Sequence, residues 1–244
     1  MKFDNRVAVI TGAAGRIGRA TAALLGEYGV KLYLADVNME ALQAVVADLA
    51  QKNISAVAVK MDVTDLESIR TAADEIINSA GKVDILVNNA GAWPKGSLLE
   101  TSDDQWNFML NLNLTSVFRI SKIFVKSMLQ NNYGRIINIG SIAGVVGLPG
   151  YIAYSSCKAG VQMMTKVMAM EMGDKNITVN SISPGLIGDE VKETTGTWVG
   201  YTGTGDDVAR AIAYLANDEA GFITGSDMPV DGGRTLGPLM KNRK

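Results

Sequence analysis

The sequence predicts one α/β domain over residues 1–244, built on a doubly wound, seven-stranded parallel sheet with helices on both faces. Two observations carry this reading. Short β-branched apolar runs alternate with longer helical patterns along almost the whole chain, as expected of strands joined by crossover helices. The runs are also apolar at nearly every position rather than at every second one, which strands covered on both faces require. With 47% apolar and 20% charged residues, the chain can bury a sizeable core and is too apolar for disorder. No linker, internal repeat or low-complexity stretch divides it.

The predicted strands are Val7 to Ile10, Lys31 to Ala35, Ala56 to Lys60, Ile85 to Val87, Arg135 to Ile139, Thr178 to Ile182 and Met228 to Val230. The first helix, Arg19 to Tyr28, follows a glycine-rich turn and stops at Gly29. Two later helices, Gln105 to Gln130 and Ser155 to Met172, are apolar almost all the way round, more than a single stripe facing a sheet would use. The second is methionine-rich, which reads as packing. The surplus apolar faces of both predict contact with further subunits.

Composition narrows the chemistry. There are 23 basic and 25 acidic residues, a net charge of −2, and the one basic cluster is the tail Lys241, Arg243, Lys244, so nucleic acid and anionic membranes are poor partners. The start, MKFDNRVAVITG, has no leader-like pattern and no run reaches the length of a membrane span; the expectation is a cytoplasmic protein without a metal. With no histidine and one cysteine, Cys157, zinc sites that need imidazole and Ser-His or Cys-His mechanisms are excluded. An enzyme of this composition must draw its acid and base from Tyr, Lys, Asp, Glu or Ser. Cys157 itself reads as buried packing.

The first strand runs into Thr11-Gly12-Ala13-Ala14-Gly15-Arg16-Ile17-Gly18 and then a helix. Such a turn brings backbone N–H groups and a helix N-terminus against a diphosphate. Gly12 permits the tight turn and Gly18 a close helix–strand approach. Asp36 closes the second strand at roughly the 20-residue distance where a carboxylate accepts from the adenosine ribose hydroxyls. It would repel a 2′-phosphate, and no Lys or Arg stands beside it, which favours NAD over NADP. A helix-cap role in Asp36-Val37-Asn38 is the plainer reading. Asp62, after the third strand, stands near the adenine position or simply makes a turn.

Tyr154 and Lys158 lie four apart on one helical face and point into one cleft. A free tyrosine is too weak an acid to serve as a base at neutral pH, and Lys158 supplies the charge that would stabilise its phenolate. Ser141 follows the fifth strand at the carboxyl edge, where doubly wound sheets bind ligands; a helix cap is its plainer role. Asn113 and Asn111 are both candidates for a local helix kink.

These landmarks, together with Asn88-Asn89-Ala90-Gly91, Pro184-Gly185, Ile223-Thr224-Gly225 and Val230-Asp231-Gly232-Gly233, resemble the short-chain dehydrogenase/reductase family over essentially the full length. The nearer branches are 3-oxoacyl-ACP reductases and secondary-alcohol dehydrogenases. The resemblance implies a Rossmann-type domain. Asn113, Ser141, Tyr154 and Lys158 become its catalytic tetrad, with Tyr154 as general acid/base, Ser141 polarising the substrate oxygen, Lys158 on the nicotinamide ribose and Asn113 holding a relay water. It also implies cofactor contacts from Gly12, Arg16, Ile17, Asp36, Asp62, Val63, Asn89, Ala90, Gly91, Pro184, Gly185 and Ile187, and a tetramer through the two apolar helices.

Two residues depart from the family pattern. Arg16 stands where a glycine is usual, as in the pteridine-reductase branch, and is a candidate contact for diphosphate or substrate; a solvent-facing role is the alternative. Asp189 stands where a threonine is usual, and Arg16 is a conceivable partner for it. Residues 188–205 form the expected substrate lid, shorter than the family's, which predicts an open pocket or one closed by a neighbour's C-terminal tail. Trp93, Ser141, Ile142, Leu148, Tyr151, Tyr154 and Trp198, with Pro94, Val145 and Val146, are candidate pocket walls, implying an apolar, weakly charged pocket. The leading function is NAD-dependent hydride transfer between nicotinamide and a secondary alcohol or ketone, or a 3-hydroxyacyl/3-oxoacyl thioester. A pteridine-like reductase and a non-catalytic dinucleotide-binding scaffold are the alternatives.

Overall fold

A computed structural model describes residues 1–237; the basic tail residues Lys241, Arg243 and Lys244 lie outside the described residues. The order is β1 (Val7–Thr11), α1 (Arg16–Glu27), β2 (Lys31–Asp36), α2 (Met39–Gln51), β3 (Ala56–Lys60), α3 (Leu66–Ala80), β4 (Ile85–Asn88), α4 (Asp103–Leu110), α5 (Ser116–Gln130), β5 (Gly134–Ile139), α6 (Ile142–Val146), α7 (Ile152–Met172), β6 (Ile177–Pro184), β7 (Ile187–Gly188), β8 (Gly203–Thr204), α8 (Gly205–Ala216) and β9 (Asp227–Val230). The seven-stranded sheet runs β3-β2-β1-β4-β5-β6-β9 with parallel pairing throughout. All seven expected strands are present, and the chain forms one domain.

Helices on each face bury a separate apolar cluster. One gathers Ile10, Leu25, Leu32, Leu42 and Ile212; the other gathers Val9, Tyr33, Ile69, Ile76 and Phe124. Residues of β1, β4, β5 and β6 are buried along their whole lengths, which explains why alternation is missing from their sequences. The strand order reverses between β1 and β4, so the crevice lies at the carboxyl ends of these two strands.

Several elements differ from the sequence reading; helix α7, for one, begins at Ile152 rather than Ser155. Helix α1 begins at Arg16 rather than Arg19, because Gly15 is its N-cap and the turn is shorter than its glycines suggest. The apolar segment 105–130 is two helices joined by a π-turn, Asn111–Thr115, which widens the helix where Asn113 sits. The lid contains a two-residue parallel pair, β7 with β8, too short to leave a periodic signal. Met163, Val167 and Met170 on α7, with Phe118 and Leu129 on α5, remain exposed. No helix among the described residues is long and apolar enough to cross a membrane.

Candidate active site

The carboxyl edge of the sheet opens into a cleft of about 1110 Å³. Its floor is the glycine-rich turn, where Gly12 has φ +61° and a Cβ would lie 2.8 Å from Ala90 Cα. A Cβ on Gly18 would sit 2.5 Å from the Gly12 oxygen, so both positions exclude side chains. Asn89 braces the turn by donating through Nδ2 to the carbonyls of Thr11 at 3.0 Å and Gly12 at 2.9 Å. Thr11 Oγ1 accepts from the amides of Asn89 and Ala90. No side chain caps the N-terminus of α1, which leaves its first turn suited to an anion. Gly12, Arg16, Ile17, Asp36, Asp62, Val63, Asn89, Ala90, Gly91, Pro184, Gly185 and Ile187 all line this cleft.

Asn38 rather than Asp36 caps α2, and Asp36 is a turn residue on the cleft wall. Oδ2 accepts from the Ala14 amide at 3.0 Å and Oδ1 from the Asn38 amide at 3.0 Å, so the carboxylate holds the turn while facing the cleft. Asp62 behaves as a turn aspartate, Oδ1 accepting from the amide of Thr64 at 2.8 Å and its hydroxyl at 2.7 Å; with Val63 it still forms cleft wall.

At the reacting end, β5 delivers Ser141 and the first turn of α7 delivers Tyr154, one turn before Lys158. Ser141 is a helix cap as well as a cleft residue: Oγ accepts from the Ala143 amide at 3.1 Å. Burial holds the Tyr154 hydroxyl above the ordinary tyrosine value, against a smaller downward pull from its hydrogen bond with Ser141. Lys158 is 4% exposed. Its Nζ donates to the Ile139 carbonyl at 2.8 Å and stands 5.6 Å from the Tyr154 ring centre. Burial lowers its pKa to about 8. Cys157 beside it is an inert packing thiol, pushed by burial up to about 11.

The π-turn separates the two asparagines. Asn113 is fully buried, with Nδ2 donating to Ala92 O at 3.1 Å and Oδ1 accepting from Ala92 N at 3.3 Å. It thereby fixes the chain leaving β4, and a Cβ on Gly91 would lie 2.6 Å from Asn113 Oδ1. Asn111 turns to the Thr64 carbonyl and Arg119 instead.

Trp93, Ser141, Ile142, Leu148, Tyr151 and Tyr154 all line the cleft. Trp198 does not. Its amide donates to Gly232 O at 2.8 Å and its side chain lies over Gly233, because the lid folds against the C-terminal glycine turn rather than over the cleft. None of residues 188–205 lines the cleft; the segment just before them does, through Leu186 and Ile187. The pocket is also more charged than expected at its rim, where Arg16 and Arg234 contribute. Arg234, which donates to Gly196 O at 2.7 Å, Phe108 and the carbonyl of Ile139 were not legible in sequence; none carries a spacing signal.

Arg16 and Asp189 meet. Arg16 Nε donates to Oδ1 at 2.9 Å and Nη2 to Oδ2 at 2.8 Å, while Nη1 donates to Ile187 O at 3.1 Å. Arg19 adds a third bond to Asp189 at 2.9 Å. These bonds to Arg16, and secondarily to Arg19, hold the Asp189 carboxyl below its ordinary value.

Residues 6–200 match the short chain dehydrogenase family model. The 3-oxoacyl-[acyl-carrier-protein] reductase FabG of Haemophilus influenzae is 38% identical over 244 residues, covering 96% of this chain and 100% of that protein. The (2S)-[(R)-hydroxy(phenyl)methyl]succinyl-CoA dehydrogenase subunit BbsD of Thauera aromatica is 36% identical, covering 97% and 99%. Among solved structures, gox2181 superposes with a TM-score of 0.90 at 33% identity, covering 96% of this chain and 97% of that one.

Proposed function

The chain belongs to the short-chain dehydrogenase family, and from that premise we propose that it is an NAD-dependent reductase of 3-oxoacyl thioesters acting in the cytoplasm. The observation that carries the reading is the convergence of Ser141, Tyr154 and Lys158 in one cleft with a glycine-rich turn, in which Gly12 and Gly18 leave no room for a Cβ, and with Asp36. The turn, the uncapped α1 and the Asp36 carboxylate suit an anionic dinucleotide with free ribose hydroxyls. Two similar proteins, by name, act on acyl thioesters or their hydroxy forms, which favours that substrate class over simple ketones.

A reduced dinucleotide held by the glycine turn and Asp36 would supply the hydride. Tyr154 then gives its proton to the substrate carbonyl oxygen, and its raised pKa keeps that proton in place at neutral pH. Ser141 donates a hydrogen bond to the same oxygen and polarises it. Lys158 favours the tyrosinate left behind by its positive charge. Asn113 fixes the Ala92 backbone that walls the site, and the π-turn is where a relay water would sit. In alcohol oxidation Tyr154 runs in reverse as the base, which its raised pKa disfavours until alkaline pH. The exposed Met163, Val167, Met170 and Phe118 carry assembly into a tetramer. Arg16, bound by Asp189, no longer argues for a pteridine substrate.

The test is NADH and NADPH consumption with 3-oxoacyl thioesters, cyclic and linear ketones and pterins. The expected result is thioester reduction with NADH preferred. Preference for NADPH, or turnover confined to pterins, would overturn the corresponding half of the proposal.

A further inference from the structure

Arg16 and Asp189 are 173 residues apart in sequence, yet their contact is the most directional ion pair at the cleft rim. The guanidinium meets the carboxylate through two parallel bonds and spends a third N–H on the Ile187 carbonyl. Arg19, on the same helix, bonds Asp189 as well. One end of this cluster is the first turn of α1, directly after the glycine turn. The other is the segment that leaves β6 through Gly185 and Ile187, lines the cleft, and becomes the lid. Isolated exposed ion pairs contribute little, but a two-pronged pair reinforced by a second arginine and a carbonyl fixes direction as well as distance.

We infer that Arg16 is a positioning residue. Through Asp189 and Ile187 it sets the distance between the diphosphate turn and the segment that meets the nicotinamide, and it anchors the root of the lid. Asp189 is thus a strut between two arginines rather than a ligand, which explains how an acidic side chain is tolerated beside an anion-binding turn. The inference rests on the dinucleotide reading of the cleft, and it differs from a direct grip of Arg16 on the diphosphate.

The experiment compares wild type, Arg16→Ala, Asp189→Ala and the double variant. It measures dissociation constants for NADH and for ADP-ribose, which carries the diphosphate without the nicotinamide. It also follows trypsin cleavage after the exposed Lys192 in the lid by mass spectrometry. Both partners lie at the surface, so folding is checked by circular dichroism and by the milder Asp189→Asn. The expected result is NADH binding weakened about three- to ten-fold in each single variant and no further in the double, since the two residues act as one unit. ADP-ribose binding stays within about two-fold of wild type, and Lys192 is cut faster in all three variants, with added salt bringing wild type towards them. Weaker ADP-ribose binding in Arg16→Ala but not in Asp189→Ala would overturn the inference in favour of a diphosphate grip. Unchanged cleavage at Lys192 would overturn the anchor. A wild type that binds no NADH would refute the dinucleotide reading, and the cleavage arm would still decide whether the pair holds the lid.

Discussion

The two ends of the sheet hold similar side chains in opposite states. At the amino ends of the strands, Asp84 is 1% exposed and accepts from Val7 N at 2.9 Å while pairing with Lys82 at 2.9 Å and Arg6 at 3.4 Å. Arg6 also meets Asp218 at 2.9 Å and stacks 3.4 Å over the Tyr133 ring. Tyr133 donates to Asp218 at 2.6 Å. At the carboxyl ends, Tyr154 sits near Lys158 with Ser141 as its partner and the cleft before it. Burial raises both tyrosines. The difference is the destination of the proton: the Tyr133 hydroxyl is pinned to a carboxylate, whereas the Tyr154 side chain lines an open cleft. A tyrosine beside a cation is therefore structural or chemical according to what lies beyond its oxygen.

Perturbing either edge sharpens this contrast. Lys158→Met should lower carbonyl reduction by about 10³-fold, the range for losing a group that supports proton transfer, with thermal stability unchanged or higher because a buried charge is removed; steady-state kinetics and calorimetry check both. Asp84→Ala should do the reverse. It should cost about 2–3 kcal/mol in urea denaturation, below the full penalty for a broken buried pair because Arg6 and Lys82 reach solvent, with kcat within about two-fold once the protein is folded. Asp36→Ser, at the cofactor end, should raise the NADPH-to-NADH ratio of kcat/KM by about ten-fold, since the repelling carboxylate is gone; an unchanged ratio would remove Asp36 from cofactor choice. The smallest effect is on pH. Because burial lowers Lys158 to about 8, its charge is present below that value and lost above it. Reduction should hold steady across neutral pH and fall a few-fold as pH rises through about 8, while a profile rising through that range would contradict the assigned role.

Much of the fold was legible because parallel strands buried on both faces leave unbroken apolar runs, and all seven were found within a residue or two. Tyr154 and Lys158 were legible because helical spacing alone puts them on one face. Other features depended on contacts that sequence does not encode locally. The resemblance picks Asn113 over Asn111, but what separates them physically is the π-turn, which turns one towards Thr64 and the other towards Ala92. The placement of Trp198 needed the lid's path against Gly232. Of the two rim arginines, Arg16 and its partner Asp189 were legible as departures from the family pattern, whereas Arg234 depended on its long-range bond to the Gly196 carbonyl.

The central claim is that the carboxyl-edge tyrosine performs the chemistry and the amino-edge tyrosine holds the fold. The most direct test is Tyr154→Phe beside Tyr133→Phe, with NADH-dependent reduction of a 3-oxoacyl thioester, NADH affinity and Tm measured on each. The account predicts that Tyr154→Phe loses at least about 10³-fold in turnover with NADH binding and Tm nearly intact. Tyr133→Phe should keep turnover within about two-fold while losing about 1–3 kcal/mol of stability with its bond to Asp218. Full turnover in Tyr154→Phe, or its loss in a folded Tyr133→Phe, would contradict it.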